Sequence, residues 1–463
     1  MSSPAKVMPS RLADIVGASN AIADPRDLQA YGIDGKIPNA AVRPGTAKEA
    51  AEIVKLAVAE NLALIPSGAR TKVGIGMPPS RYDLALDMTR LDRVISYDPG
   101  DLTLSVEPGI SVSKLAAALA EHNQFLPLEV PFYESTTIGG TLSSGVDSPL
   151  RQLYGTPRDF VLGVEFVTGE GEIAKSGGRV VKNVSGYDLH KLFLGAIGSL
   201  GVITRVNFRT FPLPQRTATA LAAFRWANGA FEFNRTVQKS LLRPQSVEIL
   251  SPAAAAILHG AQRGKPILSG HDSAWWVAVG VAGNESVIER CERELTSMAQ
   301  SADRDSLESF ELMKNDSQAR IWSAICEFPA AVLRASSRAA ILRVSCLPKN
   351  FAGLCEGSDT IAKKFSLQIV QAFRGIGVAY IAFLPAEENL GTMPQLKQAC
   401  AAMLDTSANW WKASATIPWC PLEFKRDLSI WGAPRVDFPL MQKVKQAFDP
   451  RGIFAPGRFV GGL

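Results

Sequence analysis

The chain has 463 residues, more than one compact core of ordinary size encloses, so two or more domains are expected. With 46% hydrophobic residues, 20% charged residues and a formal charge of +5, it reads as a globular, mildly basic protein. It lacks the Lys/Arg blocks of a nucleic-acid surface, an apolar run long enough to span a bilayer, and an N-terminal apolar signal core. A cytoplasmic protein that binds no nucleic acid is expected, with any membrane contact at the inner face made through partners.

Residues 1–35 read as an N-terminal extension. From Arg43-Pro-Gly-Thr46 the elements become legible. Thr46 to Glu49 fits a capping box, and Ile53, Val54, Ala57 and Val58 then form one helical face. Leu62–Ile65 reads as a strand ended by Pro66. Leu84, Leu86 and Met88 alternate like a strand, as do Leu102, Leu104 and Val106. Ser111 or Ser113 caps a helix running to about Glu121. Val161–Thr168 and Glu172–Lys175 pair as a hairpin across Gly169-Glu-Gly171. The segment 181–204 is helix-like, then carries Gly195, Gly198 and Gly201 at three-residue spacing, then turns β-branched at Val202-Ile-Thr204.

Composition changes near residue 215, where Phe211-Pro-Leu-Pro214 marks a seam. All six cysteines and all eight tryptophans lie beyond it. Strands are expected at Ser273–Val281 and Ala340–Leu347, and helices at Asn284–Ala299, within Arg320–Arg334 and at Phe438–Phe448. The predicted organisation is α+β throughout: a glycine-rich ligand-binding domain at 36–215, a cap at 216–435, and a helix with tail at 436–463 returning to the first domain. The cysteines are widely and irregularly spaced, which suits reduced, buried thiols rather than an iron–sulfur cluster.

Three glycine- and hydroxyl-rich stretches carry candidate chemistry. Ser67-Gly-Ala-Arg-Thr-Lys72 directly follows a strand. Its small residues let successive N–H groups converge on an anion, and Arg70 and Lys72 add positive charge. By itself it fits an anion nest and an ordinary surface loop equally. It is neither a Rossmann fingerprint nor a Walker loop, because the third glycine and the GK[ST] are absent. Thr137-Ile-Gly-Gly140, followed by Ser143 and Ser144, suits lining a polar heterocycle and diphosphate, or is a Ser/Thr-rich turn. The glycine-spaced stretch ending at Ile203 suits a wall against a large flat ligand. Arg158-Asp159, by contrast, reads as a structural ion pair.

In this order the motifs resemble the PCMH-type FAD-binding domain of the vanillyl-alcohol oxidase superfamily, made of two α/β subdomains. RDFVLG and the glycine-spaced segment are most similar to the FAD-binding subunit of bacterial glycolate oxidase. The resemblance runs from about Arg43 to Pro214, is thin through the cap, and returns at the tail around Arg458. It implies a flavoprotein oxidoreductase that takes a hydride from glycolate or a related 2-hydroxy acid. The implied partners are a second FAD-containing subunit and an iron–sulfur subunit. It implies diphosphate contacts at Ser67, Gly68, Ala69, Arg70, Thr71 and Lys72. Further cofactor contacts are implied at Thr137, Gly139, Gly140, Ser143 and the Ile203 backbone, with Lys182, Asn183 and Tyr187 nearer the flavin. In many relatives a histidine in the first loop carries the flavin covalently. Ala69-Arg70 stands there in this chain, which implies non-covalent FAD.

No catalytic base and no metal site is identified. The four histidines are His122, His190, His259 and His271, without HxxxH or HExxH spacing. Arg343 and Tyr380 are alternatives for meeting a substrate, although Arg343 also reads as an exposed structural arginine. A stand-alone alcohol or hydroxy-acid oxidase and an accessory scaffold subunit are the competing readings.

Overall fold

A computed structural model of the chain describes residues 4–179, 186–260, 268, 270–302, 305–314, 316–386, 390–409 and 412–463. Three sheets organise it. The first has the order Ala21–Ile22, Ala40–Val42, Leu84–Asp87, Leu64–Ser67, and its last three strands are parallel. The second is antiparallel, in the order Val94–Asp98, Thr103–Val106, Val202–Arg209, Val161–Val167, Ile173–Gly177. The third is an eight-stranded antiparallel sheet built wholly from residues beyond 215.

Parallel strands are covered on both faces, and Leu84–Asp87 is accordingly buried at every position rather than at alternate ones. Met88 lies outside it, in a 3-10 turn. Leu102 also lies outside its expected strand, in a turn with φ of 53°. Strand Leu64–Ser67 runs through Pro66 instead of ending there. It is the edge strand of its sheet, and an edge tolerates a residue with no N–H to donate. The Thr46 hydroxyl caps helix Ala47–Ala59, accepting from Glu49 N at 3.1 Å, and Ser111 caps Val112–Ala120. Asp159 does not pair with Arg158. Its carboxylate accepts from the Thr156 N–H at 2.7 Å and starts the short helix Pro157–Phe160.

In the third sheet side chains alternate between faces, as the two-residue period requires. Ala220, Ala222 and Phe224 join one core with helices Ala227–Lys239, Glu285–Ala302, Phe351–Lys364 and Met393–Asn409. Leu221 and Ala223 join the opposite core with helices Pro252–Gly260, Asp316–Cys326 and Phe328–Ala335. That second core also takes in Ile75 and Val146, so this face of the sheet meets the glycine-rich half of the chain.

Helix Phe438–Phe448 leads the tail back. Ile453 O accepts from Leu64 N at 2.8 Å and Ala455 N donates to Leu64 O at 3.0 Å, so the tail extends the first sheet past its edge strand. Of the segment 181–204, Lys182 and Asn183 fall outside the described residues. Up to Gly201 its described part is turns and a 3-10 turn at Leu189–Leu192 rather than a helix, and strand Val202–Arg209 then begins where the β-branched residues do. Among the described residues no helix is long and apolar enough to cross a membrane.

Candidate cofactor cleft and seam cavity

The edge strand Leu64–Ser67 delivers the chain into a loop at Gly68, and Arg70 adopts a left-handed φ of 59° that folds the loop back. The backbone N–H groups of Gly68 through Lys72 donate to no acceptor among the described residues, which leaves consecutive donors around one cleft. Lys72 is buried. Its ammonium reaches the Thr136 hydroxyl, lies 3.4 Å from Thr71 Oγ1, and makes no ion pair among the described residues. Burial pushes this amine down to about 8. Arg70 is different. Its guanidinium bonds Asp87 at 3.2 Å and stacks 4.4 Å over the Tyr31 ring, so its charge is largely spent within the protein.

The second motif backs onto this loop. Thr137 caps helix Ile138–Ser144 by accepting from Gly140 N at 3.2 Å. Gly139 N donates to Pro108 O at 2.7 Å and Ile138 N to Ile110 O at 2.9 Å. The main-chain donors of Ile138, Gly139 and Gly140 are therefore engaged. What this motif offers the cleft is small, hydroxyl-bearing wall rather than free amides. One side of the cleft is lined by Ser67–Lys72, Thr137, Gly140, Ser143 and Arg458. Arg458 is buried and donates from Nη2 to the Val73 and Ile75 carbonyls, bracing the loop from the tail.

The cleft continues along a wall containing Gly139, Gly198, Gly201, Val202 and Ile203. Strand Val202–Arg209 pairs with Thr103–Val106 only from Val206 onward, so beside Ile203 that edge carries no strand. Gly198 presses on Pro66, where a Cβ would sit 2.7 Å from the ring, and its φ of 78° suits glycine. Ser67 to Lys72, Thr137, Gly139, Gly140, Ser143 and Ile203, singled out from the sequence, thus line this one cleft. Tyr187 is 89% exposed.

Two further cavities lie where the third sheet meets the first half of the chain. One, of about 330 Å³, is lined by Glu129, Tyr133, Gln245, Trp322, Cys326 and Glu327 among others. The Cys326 thiol points at Glu129 Oε2 from 3.8 Å, and burial pushes the Glu129 carboxyl up to about 7. The other, of about 230 Å³, adjoins the C-terminal end of helix Ile138–Ser144 and has Asp147 in its wall. Asp147 is buried and receives Arg374 Nη1 at 2.5 Å, Arg343 Nη2 at 3.0 Å, the Tyr380 hydroxyl at 3.2 Å, and Arg151. Burial alone would raise its pKa. The guanidiniums of Arg374, Arg343 and Arg151 outweigh burial and hold the carboxyl well below its ordinary value. Arg343 is therefore not an exposed surface arginine but a link across the seam. Sequence reading singled out Arg343 and Tyr380 but missed Asp147, Arg151 and Arg374, which gather them. Only the four-residue spacing of Asp147 and Arg151 is a local signal, and the other partners are brought in by the sheet.

His122 packs edge-on against Tyr97, buried His190 hydrogen-bonds Ser176, and His271 pairs with Glu308 at 3.1 Å. None of the four histidines lines these cavities. Among the described residues no group of three or more His, Cys, Asp or Glu side chains is arranged to hold a metal.

Free consecutive amides, a buried unpaired ammonium and a long glycine-lined wall fit a dinucleotide cofactor with a diphosphate at its centre. Comparison with known proteins gives that ligand its identity. Residues 38–177 match the FAD binding domain family, and residues 213–412 and 432–459 match the C-terminal domain of FAD linked oxidases. Glycolate oxidase subunit GlcD of Bacillus subtilis (strain 168) is 24% identical over 91% of this chain and 89% of its own length. Glycolate oxidase subunit GlcE of Escherichia coli (strain K12) is 36% identical over 35% of this chain and 47% of its own. A solved structure of p-cresol methylhydroxylase with substrate bound superposes with a TM-score of 0.78 at 17% identity, covering 99% of this chain and 97% of that one. The chain belongs to the FAD-linked oxidases of the PCMH-type fold, and it is an FAD-dependent oxidoreductase acting on CH–OH groups.

Proposed function

We propose that this chain oxidises glycolate, or a closely related small 2-hydroxy acid, to the corresponding 2-oxo acid as the FAD-bearing subunit of a larger assembly. One observation carries the reading: the similarity to GlcD extends over 91% of the chain and 89% of that subunit, so it includes the cap as well as the cofactor domain. FAD, when bound, supplies the two-electron oxidant. Ser67 and the amides of Gly68, Ala69, Arg70, Thr71 and Lys72 would hold its diphosphate, with the Lys72 ammonium as the unspent charge. Thr137, Gly139, Gly140 and Ser143 would line the opposite wall, and Ile203 the far end. Ala69 and Arg70 offer no nucleophile for a flavin bond, so the cofactor is held non-covalently. The six free cysteines are scattered through the cap, and electrons leave to an iron–sulfur subunit accompanied by a second FAD-containing subunit.

The test is anaerobic titration of the purified chain with glycolate and D-lactate, alone and with its partner subunits, while flavin absorbance is followed. Bleaching that needs the partners supports this reading. Bleaching by the chain alone favours a stand-alone oxidase. Flavin that resists every 2-hydroxy acid in the full assembly overturns the reading. Release of flavin on denaturation checks the non-covalent attachment.

A further inference from the structure

At one end of the seam between the two halves of the chain, large apolar side chains stand in water. Leu153 is exposed on the short helix Arg151–Tyr154. Leu189 and Leu192 are exposed on their 3-10 turn, where a spacing of three puts both on one side. Leu241, two residues past helix Ala227–Lys239, is 88% exposed, and Leu347, two residues past strand Ala340–Ser345, is 61% exposed. These leucines are distant in sequence but belong to one region. Gln152 Nε2 donates to Gln238 Oε1 at 2.9 Å, Asn234 Nδ2 to Gly375 O at 3.3 Å, and Cys346 N to Gly377 O at 3.0 Å. Arg151, Lys191 and Arg343 close the ring by lining one depression of about 230 Å³. A single exposed leucine is ordinary, whereas several gathered around one depression mark an interaction surface.

Charge selects the kind of partner. Lys239 and Arg243 flank Leu241, Lys349 follows Leu347, and Arg158 opens onto the depression. All four are exposed and make no ion pair among the described residues. The acidic residues on these same segments are already engaged: Asp188 pairs with Lys191 at 2.5 Å, and Asp159 accepts from the Thr156 N–H. The surface is therefore apolar with a basic surround, and it complements an acidic partner. A flat lipid surface would leave the depression empty, while a protruding segment of a protein fills it. The position matters too. Helix Ile138–Ser144 turns Gly140, Ser143 and Ser144 to the cofactor cleft and Leu142 to the depression, so about 10 Å, one helix diameter, separates the two.

We propose that this end of the seam docks the electron-accepting subunit, which seats an acidic, partly apolar segment in the basic depression against the leucine rim. This inference rests on the proposed division of labour between subunits and assigns the surface that joins them.

The experiment is surface plasmon resonance of the FAD-loaded full chain against the purified iron–sulfur subunit, from low to high salt. The variants are the exposed pair Lys239→Glu with Arg243→Glu, and the exposed pair Leu241→Ser with Leu347→Ser. Flavin content and melting temperature are measured for each. The charge reversals are expected to weaken binding at least about tenfold at low salt and to approach wild type as salt rises. The serine pair is expected to weaken it about tenfold at every salt concentration, as loss of buried leucine surface requires. If both folded pairs bind the subunit as wild type does, the docking face is refuted, although bleaching of the flavin by glycolate in the full assembly still supports the proposed chemistry. Wild type that ignores the subunit but binds vesicles containing phosphatidylglycerol, with that binding lost in the variants, assigns the face to a membrane and overturns the proposal. If wild type binds no subunit and no 2-hydroxy acid bleaches the flavin, the docking face and the proposed function fall together.

Discussion

Gly68 lies so close to Thr137 that a Cβ built on it would stand 2.0 Å from the threonine hydroxyl oxygen. The Ser67–Lys72 loop and the cap of helix Ile138–Ser144 thus touch backbone to side chain. The cleft between the cofactor motifs is defined by this contact, and only glycine permits it. Replacing Gly68 with Ala forces the loop and the helix cap apart, at the roughly 1–3 kcal/mol of an overpacked site. FAD affinity is expected to fall by at least about tenfold, with far-ultraviolet circular dichroism unchanged. Fluorescence titration of the apoprotein with FAD measures it, and wild-type affinity in Gly68→Ala would refute the assignment.

Lys72 is expected to make FAD binding depend on pH. Burial has lowered its pKa to about 8, so above that pH the amine of the FAD-free protein is neutral. An anionic diphosphate favours the charged form, so binding above pH 8 takes up a proton and affinity falls as pH rises. In Lys72→Met the dependence is expected to flatten. Affinity at neutral pH is expected to drop by about tenfold or more, the usual scale for a charge-assisted bond. FAD dissociation constants measured between neutral pH and pH 10 decide it.

Asp147 bolts the two halves of the chain together. Asp147→Asn leaves Arg151, Arg343 and Arg374 facing one another without their anion, and breaking a buried pair in this way costs about 3–5 kcal/mol. Because the folded-state pKa is depressed, this contribution is full above the ordinary aspartate range and is lost as pH falls through and below that range. Thermal melts of wild type and variant should be well separated at neutral pH and converge in strong acid.

Glu129 behaves in the opposite sense. Its folded-state pKa is raised to about 7 by burial beside the Cys326 thiol, so the folded protein binds this proton more tightly than the unfolded chain. Stability is therefore lost as pH rises from about 4.5 to about 7. Glu129→Gln should melt higher than wild type at pH 8 and close to it at pH 5. Equal melting temperatures at both would show that the carboxyl is not held in an apolar setting.

The residues that line the cleft were legible because their signals are local. A loop of small residues after a strand, a hydroxyl before Ile-Gly-Gly, and glycines at regular spacing each state a backbone requirement within a few positions. Ser67 to Lys72, Thr137, Gly139, Gly140, Ser143 and Ile203 were named by joining these signals to the family resemblance, and all line one cleft. The helix at Phe438–Phe448 was equally plain from its apolar period. Reading went astray where neighbours overrode local pattern. Pro66 seemed to end a strand but sits on a sheet edge that needs no donor from it. Asp159 seemed to answer Arg158 but caps a helix instead.

The amino-acid order by itself determined an α+β plan and, through its resemblance to a known family, an FAD cofactor, because backbone turns, caps and periodicity act over short stretches of chain. The tertiary structure alone decided which charges are spent. Arg70 is neutralised by Asp87 while Lys72 is not, and Arg343, read as a surface residue, reaches Asp147 across the seam. Electrostatic energy depends on distance and burial, and those were set only when the eight-stranded sheet carried Arg343, Arg374 and Tyr380 onto one carboxylate from the other half of the chain.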